Sequence, residues 1–187
     1  LGAETFINEF VSSYFLRSSM AQAFSDIINV VKAVASDVTP VEHHGDLTIT
    51  VPKAQLLDVL HELKENPQMS FSQLIDITAI DWAKTPDRFE VVYFLYSLEH
   101  KTRVRIKVAV REDAPHVPTV VDVYEAANWY ERETYDMYGI MFDGHPDLRR
   151  FYMPEDFMDE QGTQLYPLRK DFPLMGIPGS LPLPEKN

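Results

Sequence analysis

The sequence predicts an α+β fold: a single domain with a small mixed or antiparallel sheet flanked by helices, followed by an extended Pro-rich C-terminal tail. Three observations carry this expectation. Thr102 to Arg111 alternates strictly, Val104, Ile106, Val108 and Val110 against Arg103, Arg105, Lys107 and Arg111. That is the two-residue period of a strand with one wet or partner-facing side. Apolar residues at helical spacing lie both before and after this strand. Six of the thirteen prolines fall between Pro154 and Asn187, where no periodicity survives and little helix or sheet can form.

The elements follow in order. Phe24, Ile27, Ile28, Val31 and Val34 predict an amphipathic helix over Ala21 to Ala35. Before it, Phe6, Phe10, Tyr14 and Phe15 fit either another helix or a flexible lead. Asp46 to Val51 reads as a short strand with Leu47, Ile49 and Val51 on one face. Pro52 ends it and opens a helix from Lys53 to Glu65, with Leu56, Leu57, Leu60 and Leu63 as its stripe. Leu74 to Asp81 is a further strand. Arg88 to Leu98 is apolar on both faces, the pattern of a central strand. Glu99-His100-Lys101 joins it to the alternating strand as a hairpin. Thr119 is a candidate N-cap, and Val120 to Tyr138 is expected to be a helix stopped by Gly139. The organisation expected is a helical lead over 1–40, the α+β domain over 41–150 and a tail over 151–187.

Composition narrows the function. Hydrophobic residues are 45% and charged residues 25%, an ordinary globular mix. The absence of cysteine removes disulfides, thiol nucleophiles and cysteine-ligated clusters. A net charge of −12 argues against phosphate-backbone binding and against attachment to anionic lipid through a basic patch of the chain's own. No apolar run approaches the roughly 20 residues of a membrane span, and the first residues lack a cationic signal-like start. Attachment to a membrane would therefore need another chain.

Chemical motifs are sparse. The six histidines form no i, i+4 ligand pair, and the seven glycines form no phosphate loop. Glu131 and Glu133, two apart on a helix, point to different sides and cannot flank one bond. The simplest account of Arg132 and Asp136, four apart, is a charged helix face that adds a few tenths of a kcal/mol. Trp129, Tyr130, Tyr135, Met137, Tyr138, Met141 and Phe142 interleave with those charges, and such residue types are enriched at interface cores. In the tail, Leu165, Tyr166, Leu168, Phe172 and Leu174 surround Arg169, Lys170 and Asp171. Extended anchors of this kind gain buried area by lying on something.

Two stretches carry a family resemblance. Glu131-Arg132-Glu133-Thr134-Tyr135-Asp136-Met137-Tyr138-Gly139-Ile140, with Phe142 and His145-Pro146-Asp147-Leu148-Arg149-Arg150, resembles the signature of the thirty-kilodalton subunit of respiratory complex I. In bacteria this is the C-type subunit of the proton-pumping NADH:quinone oxidoreductase. Pro167-Leu168-Arg169-Lys170-Asp171-Phe172-Pro173-Leu174 resembles its second shared stretch. Phe151-Tyr152 stands where the family usually carries aliphatic residues. The resemblance implies a cofactor-free subunit, peripheral on the cytoplasmic side of the cell membrane. It implies docking to the quinone-site subunit and the terminal iron–sulfur subunit, with FMN, iron–sulfur clusters and quinone held by partners. Glu131, Arg132, Glu133, Tyr135, Asp136, His145, Arg149, Arg169, Lys170 and Asp171 are the docking residues so implied. The same resemblance extends to an equivalent subunit of a membrane-bound hydrogenase or other quinone-linked dehydrogenase. A competing reading of another class is an independent hydrolase using Glu131 or Glu133 with His145.

Overall fold

The computed structural model describes residues 21–83, 86–159 and 161–173. In chain order its elements are α1 (21–34), β1 (Thr39–His43), β2 (Asp46–Thr50), a 3-10 turn (Lys53–Gln55), α2 (Leu56–Glu65), β3 (Gln73–Asp81), β4 (Phe89–Ser97), β5 (Thr102–Val110), β6 (His116–Pro118), α3 (Ala127–Tyr138) and β7 (Met141–Asp143). The α+β expectation holds, with a five-stranded mixed sheet in the order β1-β2-β5-β4-β3.

The alternation in β5 sets the register. β2 runs parallel to β5 and pairs Leu47 with Val104 and Ile49 with Ile106, so the apolar residues of both strands share one face. All four are buried. β4 lies beside β5 across residues 98–101, and Phe89, Val91, Val92, Tyr93 and Leu95 are buried, as a strand apolar on both faces requires.

β1 is not anticipated by the sequence pattern. It is an edge strand with four of five residues exposed and Pro40 within it, so no apolar alternation announces it. It joins β2 antiparallel through His44 and Gly45, both at positive φ (52° and 80°). Two such residues match the right-handed twist of a tight hairpin.

The described residues form two compact units. One comprises residues up to Ile75 with Tyr93–Val108, and the other comprises Asp76–Val92 with Ala109 onward. In the first, α1 buries Phe24, Ile27 and Val31, and α2 buries Leu56, Val59, Leu60 and Leu63. Val59, not Leu57, belongs to the α2 stripe: at 100° per residue Leu56, Val59, Leu60 and Leu63 fall on one side and Leu57 beyond its edge. Phe6, Phe10, Tyr14 and Phe15 lie outside the described residues.

In the second unit the helix expected over Val120 to Tyr138 begins at Ala127 instead. Val120, Val123, Tyr124 and Ala127 are buried at helical spacing, yet successive turns carry the first three, with Val123 and Tyr124 N–H both reaching the Val120 carbonyl. Thr119 is therefore not the α3 N-cap. Gly139 does stop the helix, at φ 72°, with its N–H on the Tyr135 carbonyl. β6 and β7, three residues each, form a parallel pair too short to show a period.

Leu60→Ala should lower stability by about 2–5 kcal/mol. Leu57→Ala, at a half-buried position, should cost far less. Urea midpoints of the two variants check which residues form the α2 stripe.

Candidate functional site

Four polar side chains of α3 are buried. Glu131, Arg132, Thr134 and Asp136 are all at most 5% exposed. The charged helix face expected from the sequence is thus interior to this unit. Polar groups removed from water need partners. Glu131 accepts the Thr119 hydroxyl at 2.6 Å and the Val120 N–H at 2.7 Å. The Thr134 hydroxyl lies 3.0 Å from the Ile77 carbonyl and 2.9 Å from that of Tyr130. Asp136 Oδ2 accepts three consecutive backbone N–H groups, from Phe151, Tyr152 and Met153, at 3.2, 2.8 and 2.9 Å.

The i, i+4 pairing expected between Arg132 and Asp136 gives way to other contacts. Asp136 Oδ1 faces Arg150 Nε at 3.6 Å. The Arg132 guanidinium lies 5.0 Å from the ring centroids of both Trp129 and Phe151, and its Nε donates to the Arg149 carbonyl at 3.3 Å. Stacking between two aromatic faces stabilises a cation whose hydration is lost.

Glu131 and His145 do come together, with 4.0 Å between Oε2 and Nε2, but neither side chain has exposed area. His145 Nε2 reaches the Asn128 carbonyl at 3.1 Å, and Nδ1 accepts the Asp147 N–H at 3.0 Å. Both ring nitrogens are thereby engaged. Burial pushes the Glu131 carboxyl up to about 7, against the opposing hydrogen bonds from Thr119 and Val120. A raised carboxyl beside a histidine is the signature of acid–base chemistry, but no substrate reaches this pair. Glu133 is half-buried elsewhere on the helix; burial, then the nearby Asp76 charge, raises its carboxyl. The hydrolase reading has no accessible constellation.

The tail segment, whose anchors are expected to lie on something, folds back in its own unit as far as Pro173. Arg169 Nε donates to the Tyr138 carbonyl at 2.6 Å and Leu168 N–H to that of Met137 at 3.2 Å, capping the C-terminus of α3. Arg169 also stacks on Tyr166, 4.3 Å from its centroid. This return passes so close to Gly139 that a Cβ there would collide with Tyr166 Cζ. The Lys170 N–H donates to Asp81 Oδ2 at 2.8 Å, and Asp171 pairs with Arg88 at 2.9 Å. Leu174 and the residues after it lie outside the described residues.

Arg88 is the centre of that clasp. It is buried, and its Nε and Nη2 reach the two Asp81 oxygens at 2.9 and 2.8 Å in a fork, while Nη1 reaches Glu112 at 2.6 Å. Burial alone raises the Asp81 carboxyl. The Arg88 bonds and the Lys170 and Ala83 N–H groups outweigh it and hold it down at about 2. Neither Asp81 nor Arg88 is among the residues implied by the sequence. The available signal is one acid closing an apolar strand opposite one base opening the next.

Of the remaining residues so implied, Tyr135 is half-buried, Arg149 is exposed and paired with Asp147 at 2.9 Å, and the Lys170 side chain is exposed. The outward surface is aromatic instead. Trp129 is 60% exposed, Tyr152 57% and Phe151 37%. Phe151 packs edge-on to Trp129 at 5.9 Å and tilted against Tyr152 at 4.1 Å. Among the described residues, no three His, Asp or Glu side chains gather as metal ligands, and no helix is long and apolar enough to cross a membrane.

Residues 49–178 match the model of the family described as respiratory-chain NADH dehydrogenase, 30 Kd subunit. The chain belongs to this family. It is 50% identical over 138 residues to a C-type subunit of the NADH-quinone oxidoreductase of Rhizobium meliloti, covering 74% of this chain and 72% of the relative. It is 42% identical to the C-type subunit of Paramagnetospirillum magneticum, covering 84% and 77%. Against the C-type subunit of Methylobacterium radiotolerans it is 48% identical and spans 59% of the relative's length. Among solved structures it is similar to a trypsin-resistant fragment (1-134) of Nqo5, with TM-score 0.58, 32% identity and coverage of 67% and 99%. It is also similar to a chain of the membrane-bound sulfane sulfur reductase, an archaeal respiratory membrane complex, with TM-score 0.64, 31% identity and coverage of 80% and 85%. Family membership thus agrees with the two motifs, which supply the buried polar residues of α3 and, through Lys170 and Asp171, the tail's partners in the Arg88 clasp.

Between pH 4.5 and about 7 the folded chain holds a proton on Glu131 that the unfolded chain releases. Its contribution is full below pH 4.5 and lost as pH rises through about 7, a span worth about 3 kcal/mol. Glu131→Gln should remove that fall. Equal pH slopes of unfolding free energy for wild type and variant would contradict the assignment. Gly139→Ala should destabilise by more than about 1 kcal/mol, from both the positive φ and the Tyr166 approach; thermal melts test it.

Proposed function

We propose that this chain is a cofactor-free peripheral-arm subunit of a proton-translocating NADH:quinone oxidoreductase, on the cytoplasmic side of the cell membrane. It docks the quinone-site subunit and the terminal iron–sulfur subunit and leaves electron and proton transfer to them. FMN, iron–sulfur clusters and quinone reside in the partner subunits.

The observation that carries this reading is the division of labour inside the two motifs. Several of their charged residues stabilise the chain's own interior: Glu131 and Asp136 bind backbone N–H groups, and Arg169 caps α3. What they hold outward is a preorganised aromatic platform. Three N–H bonds to Asp136 fix the backbone under Phe151 and Tyr152, and Arg132 stacks beneath Phe151 and Trp129. Trp, Tyr and Arg dominate binding hot spots because rigid rings bury large area with little ordering cost. Docking is assigned to Trp129, Phe151, Tyr152, Arg149 and the exposed Lys170 and Leu168. Glu131, Arg132, Asp136, His145, Arg169 and Asp171 support them from behind.

A second reading, the equivalent subunit of a related respiratory complex with another electron donor, is favoured by the likeness to the sulfane sulfur reductase chain over 80% of this sequence. The donor is decided by whether the assembly purified through this chain oxidises NADH with quinone as acceptor.

Trp129→Ala/Tyr152→Ala should cost the free chain about 1–2 kcal/mol, because it removes one ring of the Arg132 stack, yet leave it folded, and should lower recovery of the quinone-site and iron–sulfur subunits by about tenfold or more. Full recovery with the double variant would remove the platform from the docking surface.

A further inference from the structure

The polar side of β5 forms a second surface, confined to the first unit. Strand pairing places Val41, Thr48 and Arg105 on one rung and Thr39, Thr50 and Lys107 on the next. Residues paired across strands share a face, and alternation adds Arg103. The Arg103 side chain is 71% exposed and that of Arg105 32%, and Val41 is exposed. Three cations thus stand at alternate positions of one strand, in a chain with 29 acidic and 17 basic residues.

Asp46 is the counter-charge of the two arginines: it lies 3.7 Å from Arg103 and 3.2 Å from Arg105. One carboxylate serves two guanidiniums, so this pair of arginines keeps an excess of positive charge. Beside them is a concavity of about 170 Å³ lined by Asp46, Ile75, Phe94, Arg103 and Arg105 among others. That volume suits one or two side chains. Its lining combines apolar surface with guanidinium forks, which bind carboxylates in a planar, two-bonded geometry.

We propose that this face docks an acidic segment of a partner protein, one apolar side chain seated in the concavity and flanking Asp or Glu carboxylates on Arg103 and Arg105. The proposal rests on the subunit reading, since a partner chain must be present. Charge complementarity selects the occupant. A uniformly anionic membrane would meet three cations on a chain of net charge −12 and be repelled by the rest within a few Debye lengths. A short acidic segment approaches only the cations.

The test uses the full chain in its native complex. Arg103→Glu/Arg105→Glu should reduce co-purification of at least one subunit of the complex by about tenfold or more, with the melting temperature of the free chain little changed. Arg103→Gln/Arg105→Gln, which adds no repulsion against Asp46, should give a smaller loss, and Arg103→Lys/Arg105→Lys should retain most binding. A photo-crosslinker at position 41 should capture a peptide rich in Asp and Glu from that same subunit. Three results would each overturn the proposal: unchanged recovery with both the Glu and Gln pairs, a cross-linked peptide without acidic residues, or wild-type binding to phosphatidylglycerol vesicles that the Glu pair abolishes. Failure of the subunit reading looks different, because then the wild-type chain itself brings down no other subunit.

Discussion

The forked ion pair between Arg88 and Asp81 is the constraint on which most of the second unit depends. β3 ends at Asp81 and β4 begins after Arg88, so the pair closes the two strand ends on each other. The same guanidinium takes Glu112, just beyond β5, and Asp171 from the tail, while Asp81 takes the Lys170 N–H. A buried cation with one carboxylate is a poor source of stability after desolvation. Here each partner comes from a different stretch of chain, so the pair determines position more than energy. It specifies where the returning segment lies, and thereby where Arg169 meets the end of α3.

A related logic holds on α3. Four polar side chains are buried at positions that could have been apolar. Glu131 binds the Thr119 hydroxyl and the Val120 N–H, and Asp136 binds the N–H groups of 151–153, in two irregular stretches. A carboxylate aimed at consecutive amides does what a further strand would do elsewhere. Irregular backbone can then be held rigidly against a helix, which is the condition for presenting aromatic side chains in a fixed arrangement.

The regular part of this architecture is legible in the sequence, because periodicity reports burial wherever an element has one wet and one dry side. β2, α1 and the β4–β5 hairpin follow from Leu47-Ile49-Val51, Phe24-Ile27-Val31 and the alternation after Thr102. β1 is exposed at the edge, and β6 and β7 are too short for a period. The helix expected from periodicity starts seven residues before α3, since Val120, Val123 and Tyr124 keep helical spacing while turns carry them. The candidate site is legible as a set of residues and not as an arrangement. Charge in a helix is ordinarily a solvated face, and nothing in Glu131-Arg132-Glu133-Thr134-Tyr135-Asp136 distinguishes which carboxylates are buried. That information resides in distant backbone amides at 120 and 151–153.

Burial of the motif also changes how family resemblance and docking relate. Residues that maintain an interior are limited by packing against their own chain, so a motif made of them reports a shared fold. The surface that such a fold presents is freer to differ. Phe151 and Tyr152 fit this division: their backbone is gripped by Asp136 inside the motif, while their rings project outward. Arg103 and Arg105 lie outside both motifs, on a strand whose inner face alone is fixed by Val104, Ile106 and Val108. On the proposed reading, the motifs set the frame and these two outward surfaces select the partner.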